Sequence, residues 1–400
     1  MQFHGQPSLG HLTYCTNIHA AETWPDVIAG LRRHLPEIKA KIAPDQSLGV
    51  GLRLAAKAAE ALCDPGAMRE LKEFLSEGEY YVFTLNGFPY GTFHGQPVKE
   101  GAYKPDWADP VRLHYSNTLS DHLAQLLPDE MEGSISTVPG TFKPWIADSP
   151  GLIDRIADQM VQHVSHLVKV RENTGKSINL ALEPEPFCMI ETIDETIEFF
   201  NQHLFCDAAA TRLAGLSGLT KGGAADALRH HFGVCYDVCH AAVEFEDPRA
   251  SLQALKEAGI KISKLQLSSA MRIPTVNADT VEQLGQMNEP VYMHQVVENR
   301  NGTLIRYADI PEALAEIDAA QGSEWRTHFH VPIFLEEMQS VATTQQFLKD
   351  ILAIHKEQPV TEQLEVETYT WDVLPESYKN VGVSAAIARE LAWVRDQLIP

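Results

Sequence analysis

Four short stretches of this 400-residue chain hold side chains that could act together. VCYDVCH carries Asp237 and His240, LALEPEP carries Glu183 and Glu185, WRTHFHVPIF carries His328 and His330, and EVETYTWD carries Glu365 and Glu367. Carboxylates and imidazoles are the ligands that a borderline divalent cation such as Zn²⁺, Mn²⁺ or Co²⁺ accepts. A glycosidase-type acid and base would explain the carboxylates alone, but gives no reason for Asp-x-x-His and His-x-His beside them. Two of the stretches also have a plain structural reading: a turn or helix cap for Asp237 and His240, satisfied buried or loop histidines for His328 and His330. Their joint occurrence at expected strand ends favours the metal. The nearby cysteines are bystanders in this reading. Closed structural zinc sites use paired C-x₂₋₄-C motifs, and the sequence has no second pair. Cys235 suits a small buried position, whereas the reactivity of Cys239 depends on its surroundings.

The elements that must position these groups recur along the chain. Strand-like runs are expected at 12–19, 48–54, 80–86, 134–138, 178–183, 232–237, 262–268 and 364–370, with helical patterns between them such as 24–42 and 152–173. Eight strands alternating with helices predict a (β/α)₈ TIM barrel, an α/β fold with parallel strands. Alternation within the strands assigns faces. Asn179, Ala181 and Glu183 oppose Ile178, Leu180 and Leu182; Lys264, Gln266 and Ser268 oppose Leu265 and Leu267; Glu365 and Glu367 oppose Leu364 and Val366. The polar set would face inward and emerge at the barrel mouth, where such barrels keep their chemistry. A single domain over 1–400 is expected, with insertions at about 87–133 and 270–325 that follow strands three and seven and overhang the mouth.

Composition narrows the function classes. A formal net charge of −22 argues against nucleic-acid and anionic-membrane partners, which need clustered Lys and Arg. The N-terminus has no basic, apolar leader, and no run approaches the roughly 18 apolar residues of a membrane span. Six dispersed cysteines fit reduced thiols and a cytoplasmic setting. GVGLRLAA (49–56) lacks the third glycine of a dinucleotide fingerprint and fits a barrel strand instead.

The order E-P after strand five, D-x-x-H after strand six, then H-x-H and a final Glu resembles the xylose isomerase-like barrel superfamily. That superfamily contains sugar isomerases and epimerases and the endonuclease IV type. More narrowly, YCTNIHAAETW, TLNGFPYGTFHG, LALEPEPFCMIET, VCYDVCHAAVEFED, EPVYMHQVV, THFHVPIF and EVETYTWDVLP together resemble the EboE-type metabolite-traffic family over nearly the whole chain. The superfamily resemblance implies Glu183, Asp237 and Glu367 as metal ligands, with Glu185 an alternative to Glu183. Gln266 stands where sugar epimerases carry His. His240, His328 and His330 resemble the extra ligands of multi-zinc endonucleases. A divalent metal, Zn or Mn, is implied as cofactor, with Glu183 and Glu367 exchanging a proton as base and acid. His19, Glu185, His94, Lys264, His294 and Trp371 are candidates for substrate contact. The implied function is a metal-dependent isomerase or epimerase of a secondary-metabolite pathway. Its substrate would be a sugar, cyclitol or other polyol, free or phosphorylated, and pathway proteins are conceivable partners. Two alternatives stand beside it: a non-catalytic metabolite binder, which the Gln266 departure supports, and a zinc-dependent phosphoesterase.

Overall fold

The computed structural model of the chain describes residues 1–3, 5–147, 149–338, 341–373 and 380–399, the side chains of 280, 281, 283, 286, 372 and 373 aside. The end of the EVETYTWDVLP motif lies outside them. Seven strands come first: β1 (His11–Tyr14), β2 (Leu48–Arg53), β3 (Tyr80–Asn86), β4 (Gly133–Thr137), β5 (Ile178–Leu182), β6 (Phe232–Asp237) and β7 (Ile262–Leu267). Six further strands, β8 (Ser269–Ile273), β9 (Val296–Arg300), β10 (Thr303–Tyr307), β11 (Glu324–Val331), β12 (Glu337–Met338) and β13 (Val341–Thr343), precede the last barrel strand, β14 (Gln363–Val366).

The barrel strands are all parallel, in the order β1-β14-β7-β6-β5-β4-β3-β2. A parallel bridge between Cys15 and Gly51 closes the remaining seam. There the Thr13 hydroxyl donates to the Gly49 carbonyl at 2.8 Å and accepts from the Gly51 N–H at 2.9 Å. The seam needs glycine at 51, because a Cβ there would lie 2.0 Å from a Glu365 carboxyl oxygen and 2.7 Å from the Tyr14 carbonyl. Gly51 of GVGLRLAA therefore serves barrel closure. The fold is a (β/α)₈ barrel, as the strand–helix alternation predicts. Outside it, the helix Trp24–Ile42 turns Val27, Leu31, Leu35, Ile38 and Ile42 inward at helical spacing. Inside it, Asp237, Gln266, Glu365 and Thr13 are register neighbours on four adjacent strands, so polar groups fill one layer.

The two long segments are more structured than loops. Residues 87–133 include the barrel helix Pro110–Leu126, started by Asp109, whose carboxylate accepts from Val111 N–H at 2.9 Å. The stretch after β7 is an antiparallel sheet of order β10-β9-β11-β8-β13-β12, reaching Thr343. Its β9–β10 hairpin turns on Asn301 and Gly302, with φ +53° and +89°, the left-handed pair that a two-residue hairpin demands. His328 and His330 sit on β11 of this inserted sheet, not on a barrel strand.

Candidate metal centre

Three imidazoles converge where the inserted sheet meets the barrel mouth. His240 lies on the short helix Val238–Val243, which β6 enters directly; His328 and His330 lie two apart on β11 and so share one face. The His240 and His328 Nε2 atoms are 3.1 Å apart, as are those of His328 and His330. Each ring commits Nδ1 elsewhere: His240 to the Pro184 carbonyl at 2.9 Å, His328 to Gln295 Oε1 at 2.7 Å, His330 to the Glu367 carbonyl at 3.2 Å. Carbonyl oxygens only accept, so each Nδ1 carries the proton and each Nε2 presents a lone pair. Gln295 is oriented as an acceptor because its amide N–H groups donate to Tyr103 Oη at 2.8 Å and the Pro186 carbonyl at 3.1 Å. Apart from the Tyr369 hydroxyl, 3.5 Å from His328 Nε2, these lone pairs face one another, and imidazoles fixed through the far nitrogen are how proteins hold a cation.

Carboxylates border this group. Asp237 caps the His240 helix: its Oδ1 accepts from Cys239 N–H at 2.7 Å, His240 N–H at 3.1 Å and Ser268 Oγ at 2.7 Å. The cap reading of Asp237 is thus correct for one oxygen. Its Oδ2 and Glu183 Oε2 are buried and meet no hydrogen-bond partner among the described residues. Asp237 has an oxygen within 4.8 Å of donor atoms of His240 and His330, and likewise of Glu183 and Glu367. Glu185 forms another such group with His240 and His328. Glu367 Oε1 accepts from Asn17 at 2.6 Å and Asn86 at 3.0 Å. Burial and then the Glu367 charge push Glu183 well above the usual carboxyl range, and burial raises Glu367 against the pull of His330. Burial lifts Glu185 to about 8 and lowers His240 to about 4. A cation among these groups would draw the carboxyls back down and hold His240 neutral. The donor set, with orphaned oxygens and lone pairs, fits a divalent cation.

Other expected site residues lie off this cluster. Gln266 adjoins Asp237 in register, but its amide oxygen faces Cys235 Sγ at 3.8 Å and its nitrogen has no partner among the described residues. Lys264 is wholly buried in the barrel against Glu365. His19 stacks on His34 at 4.1 Å and meets Tyr14 Oη at 3.1 Å. His94 packs edge-on against Phe93, with neither ring nitrogen partnered among the described residues. His294 stacks on Phe329 at 3.6 Å, and its Nδ1–H donates to the His328 carbonyl at 2.9 Å, which places it behind β11. Trp371 is buried in the apolar core. Cys239 is committed too: its thiol donates to the Phe329 carbonyl at 3.3 Å, and burial beside Asp237 pushes it well up. Asn17, Asn86 and Gln295 are site residues that stand in the quoted motifs but are not among the expected candidates. Asn86 ends β3, the strand position from which barrels supply chemistry.

A cleft opens above the cluster, with Glu183, Glu185, His240, His328, His330 and Glu367 on its floor.

No family model matches the chain, and no curated protein matches it significantly. Among solved structures, the IolI protein with a binding zinc atom is similar at 12% identity and TM-score 0.48, covering 97% of this chain and 98% of its own. D-psicose 3-epimerase with D-tagatose, from Clostridium cellulolyticum H10, gives the same values: 12% identity, TM-score 0.48, and 97% and 98% coverage. A xylose isomerase domain protein from Alicyclobacillus acidocaldarius gives 10% identity and TM-score 0.44, again with 97% and 98% coverage. The (β/α)₈ assignment itself rests on the parallel strand order of this chain. Among the described residues, no helix is long and apolar enough to cross a membrane.

Proposed function

We propose that the chain is a metal-dependent enzyme of isomerase or epimerase type acting on a hydroxylated small molecule in the mouth cleft. The observation that carries this reading is the convergence of three Nε2 lone pairs at 3.1 Å, each with its Nδ1 proton already donated. His240, His328 and His330 would hold the cation, with Asp237 Oδ2 beside them. Three imidazoles favour Zn²⁺ over the harder Mn²⁺. A cation bound there supplies a Lewis acid for adjacent carbonyl and hydroxyl oxygens. Glu183 Oε2, unpartnered at the cleft floor, takes the proton from carbon, and Glu367, held by Asn17 and Asn86, returns it. The chain works as one domain, its insertions closing the mouth. An EboE-type role in a cytoplasmic metabolite pathway extends this reading, on the motifs that carry that resemblance.

A second reading, a metabolite binder without turnover, gains support from Gln266, whose amide oxygen is turned to Cys235 instead of the site. One experiment separates them. Metal analysis of purified protein should find at least one Zn²⁺ per chain, lost in His328→Ala. Deuterium from solvent should then enter some member of a panel of sugars, cyclitols and their aryl-substituted derivatives. Metal without exchange favours the binder, and no bound metal in the wild type refutes both roles for the histidines.

A further inference from the structure

The cleft has two unlike ends. Above the polar floor stands a roof of rings drawn from three separate segments. Phe93 lies 5.2 Å from Tyr292 and 5.1 Å from Tyr369, and Tyr292 lies 5.1 Å from Tyr369, centroid to centroid. Phe88, Val98 and Met293 extend this surface along the cleft. The Tyr369 ring also touches the His330 ring at 4.5 Å while its hydroxyl lies 3.5 Å from His328 Nε2, so the ring surface begins where the imidazoles end, with one hydroxyl at the junction.

Charge along the cleft has one sign. Glu183, Glu185 and Glu367 line it, and Lys99 is the one lysine or arginine among its described lining residues. Lys99 is already spent: its ammonium lies 2.7 Å from Asp309 Oδ2 and 3.3 Å from the Glu289 carbonyl. A phosphate or carboxylate on the outer part of a ligand would lose its water against rings and find no free cation to replace it. An apolar ring-sized group would fill the same space favourably.

On this evidence we propose that the ligand is amphipathic: an oxygen-bearing head directed at the histidines, joined to an uncharged, apolar body of about one aromatic ring seated under Phe93, Tyr292 and Tyr369. This rests on the metal reading above and narrows it, because free polyols lack the body and sugar phosphates carry a charge where the roof is apolar.

Hydroxamates test it without knowledge of the substrate, since their two oxygens bind zinc directly. Calorimetric titration of zinc-loaded protein should show benzohydroxamate binding about 10- to 100-fold more tightly than acetohydroxamate, the factor expected for burying a phenyl group. A para-carboxylate on the phenyl ring should remove most of that gain. Phe93→Ala, and the milder Phe93→Leu, should shrink the gain while leaving acetohydroxamate affinity unchanged; that unchanged affinity shows the variants are folded. Equal binding of the two hydroxamates, a gain untouched by either variant, or tighter binding of the carboxylate overturns the inference and leaves the metal reading standing. Binding of neither overturns the metal reading, and this inference with it.

Discussion

Gln295 never touches the converging Nε2 atoms, yet it fixes one of them. Its Oε1 accepts the His328 Nδ1 proton at 2.7 Å, while its nitrogen donates to Tyr103 Oη and the Pro186 carbonyl. Gln295→Leu keeps the volume and removes these bonds, with a further one to Glu185 Oε1 at 3.5 Å. The orphaned His328 N–H and the two stranded acceptors should cost the metal-free fold about 1–3 kcal/mol. The larger consequence lies in the metal. Without the acceptor, His328 is free to move its proton to Nε2 and to rotate, so its lone pair no longer meets those of His240 and His330. Loss of such a supporting partner typically weakens metal affinity by about 10- to 100-fold. Zinc affinity measured by competition with a chelator, at a temperature where circular dichroism shows both proteins folded, reads that loss apart from stability. Nitrogen NMR of the imidazoles adds a readout that a packing defect would not move: the His328 Nδ1–H tautomer should dominate in wild type and mix in the variant. Wild-type zinc affinity together with an unchanged tautomer would refute the role assigned to Gln295 and, with it, Nε2 ligation by His328.

Three more expectations follow from the same geometry. Glu367→Gln should lower turnover by about 10²-fold or more, as loss of a proton-transfer group does, with circular dichroism unchanged; undiminished exchange of substrate deuterium would remove Glu367 from the chemistry. Lys264 and Glu365 have fully buried side chains paired inside the barrel, so Lys264→Met should destabilise by about 3–5 kcal/mol in denaturant titrations. Adding Glu365→Leu should recover much of that, and a single variant as stable as wild type would show the pair to be energetically idle. Glu390 is buried, and burial lifts its carboxyl from the ordinary 4.5 to about 7 against bonds from Thr368 Oγ1 and the Ile333 N–H. The folded state therefore keeps a proton that the unfolded chain releases, and stability falls as pH rises from about 4.5 through about 7, by up to roughly 3 kcal/mol. Glu390→Gln should flatten that fall and gain stability at pH 8 but not at pH 4. An unaltered pH dependence in chemical denaturation counts against the burial argument.

The barrel was legible because period-2 segregation marks a strand's two faces whatever its neighbours, and β5, β6, β7 and β14 all show it. His328 and His330 could be paired with His240 by residue type, but the strand that carries them could not. The stretch 270–325 reads as a loop if only barrel strands are sought. The Asn-Gly step at 301–302, between VVENR and TLIRY, was its one local sign of a hairpin. Asn17, Asn86 and Gln295 lie within the quoted motifs but bear no charge, so only the closed fold reveals what their amides hold. Conversely, His19, His294 and Trp371 have suitable chemistry at the wrong depth, since stacking on His34, stacking on Phe329 and core packing claim them first.

That division of the site between two sheets has its own consequence. His240 belongs to the barrel, whereas His328 and His330 belong to the inserted sheet. Apolar packing of Trp325, Phe329 and Val331 seats β11 there, with directional bonds: Arg326 Nη1 donates to the Ala242 carbonyl at 2.7 Å, Cys239 Sγ to the Phe329 carbonyl at 3.3 Å, His330 Nδ1 to the Glu367 carbonyl at 3.2 Å and Thr370 Oγ1 to the His330 carbonyl at 2.6 Å. A cation shared by all three imidazoles would add a bond between barrel and insertion wherever it bound. Opening of the insertion would release two donors of three at once, so metal loss and exposure of the cleft become one event. The same seating brings Tyr292 over the floor, so the sheet that completes the donor set also roofs the ligand.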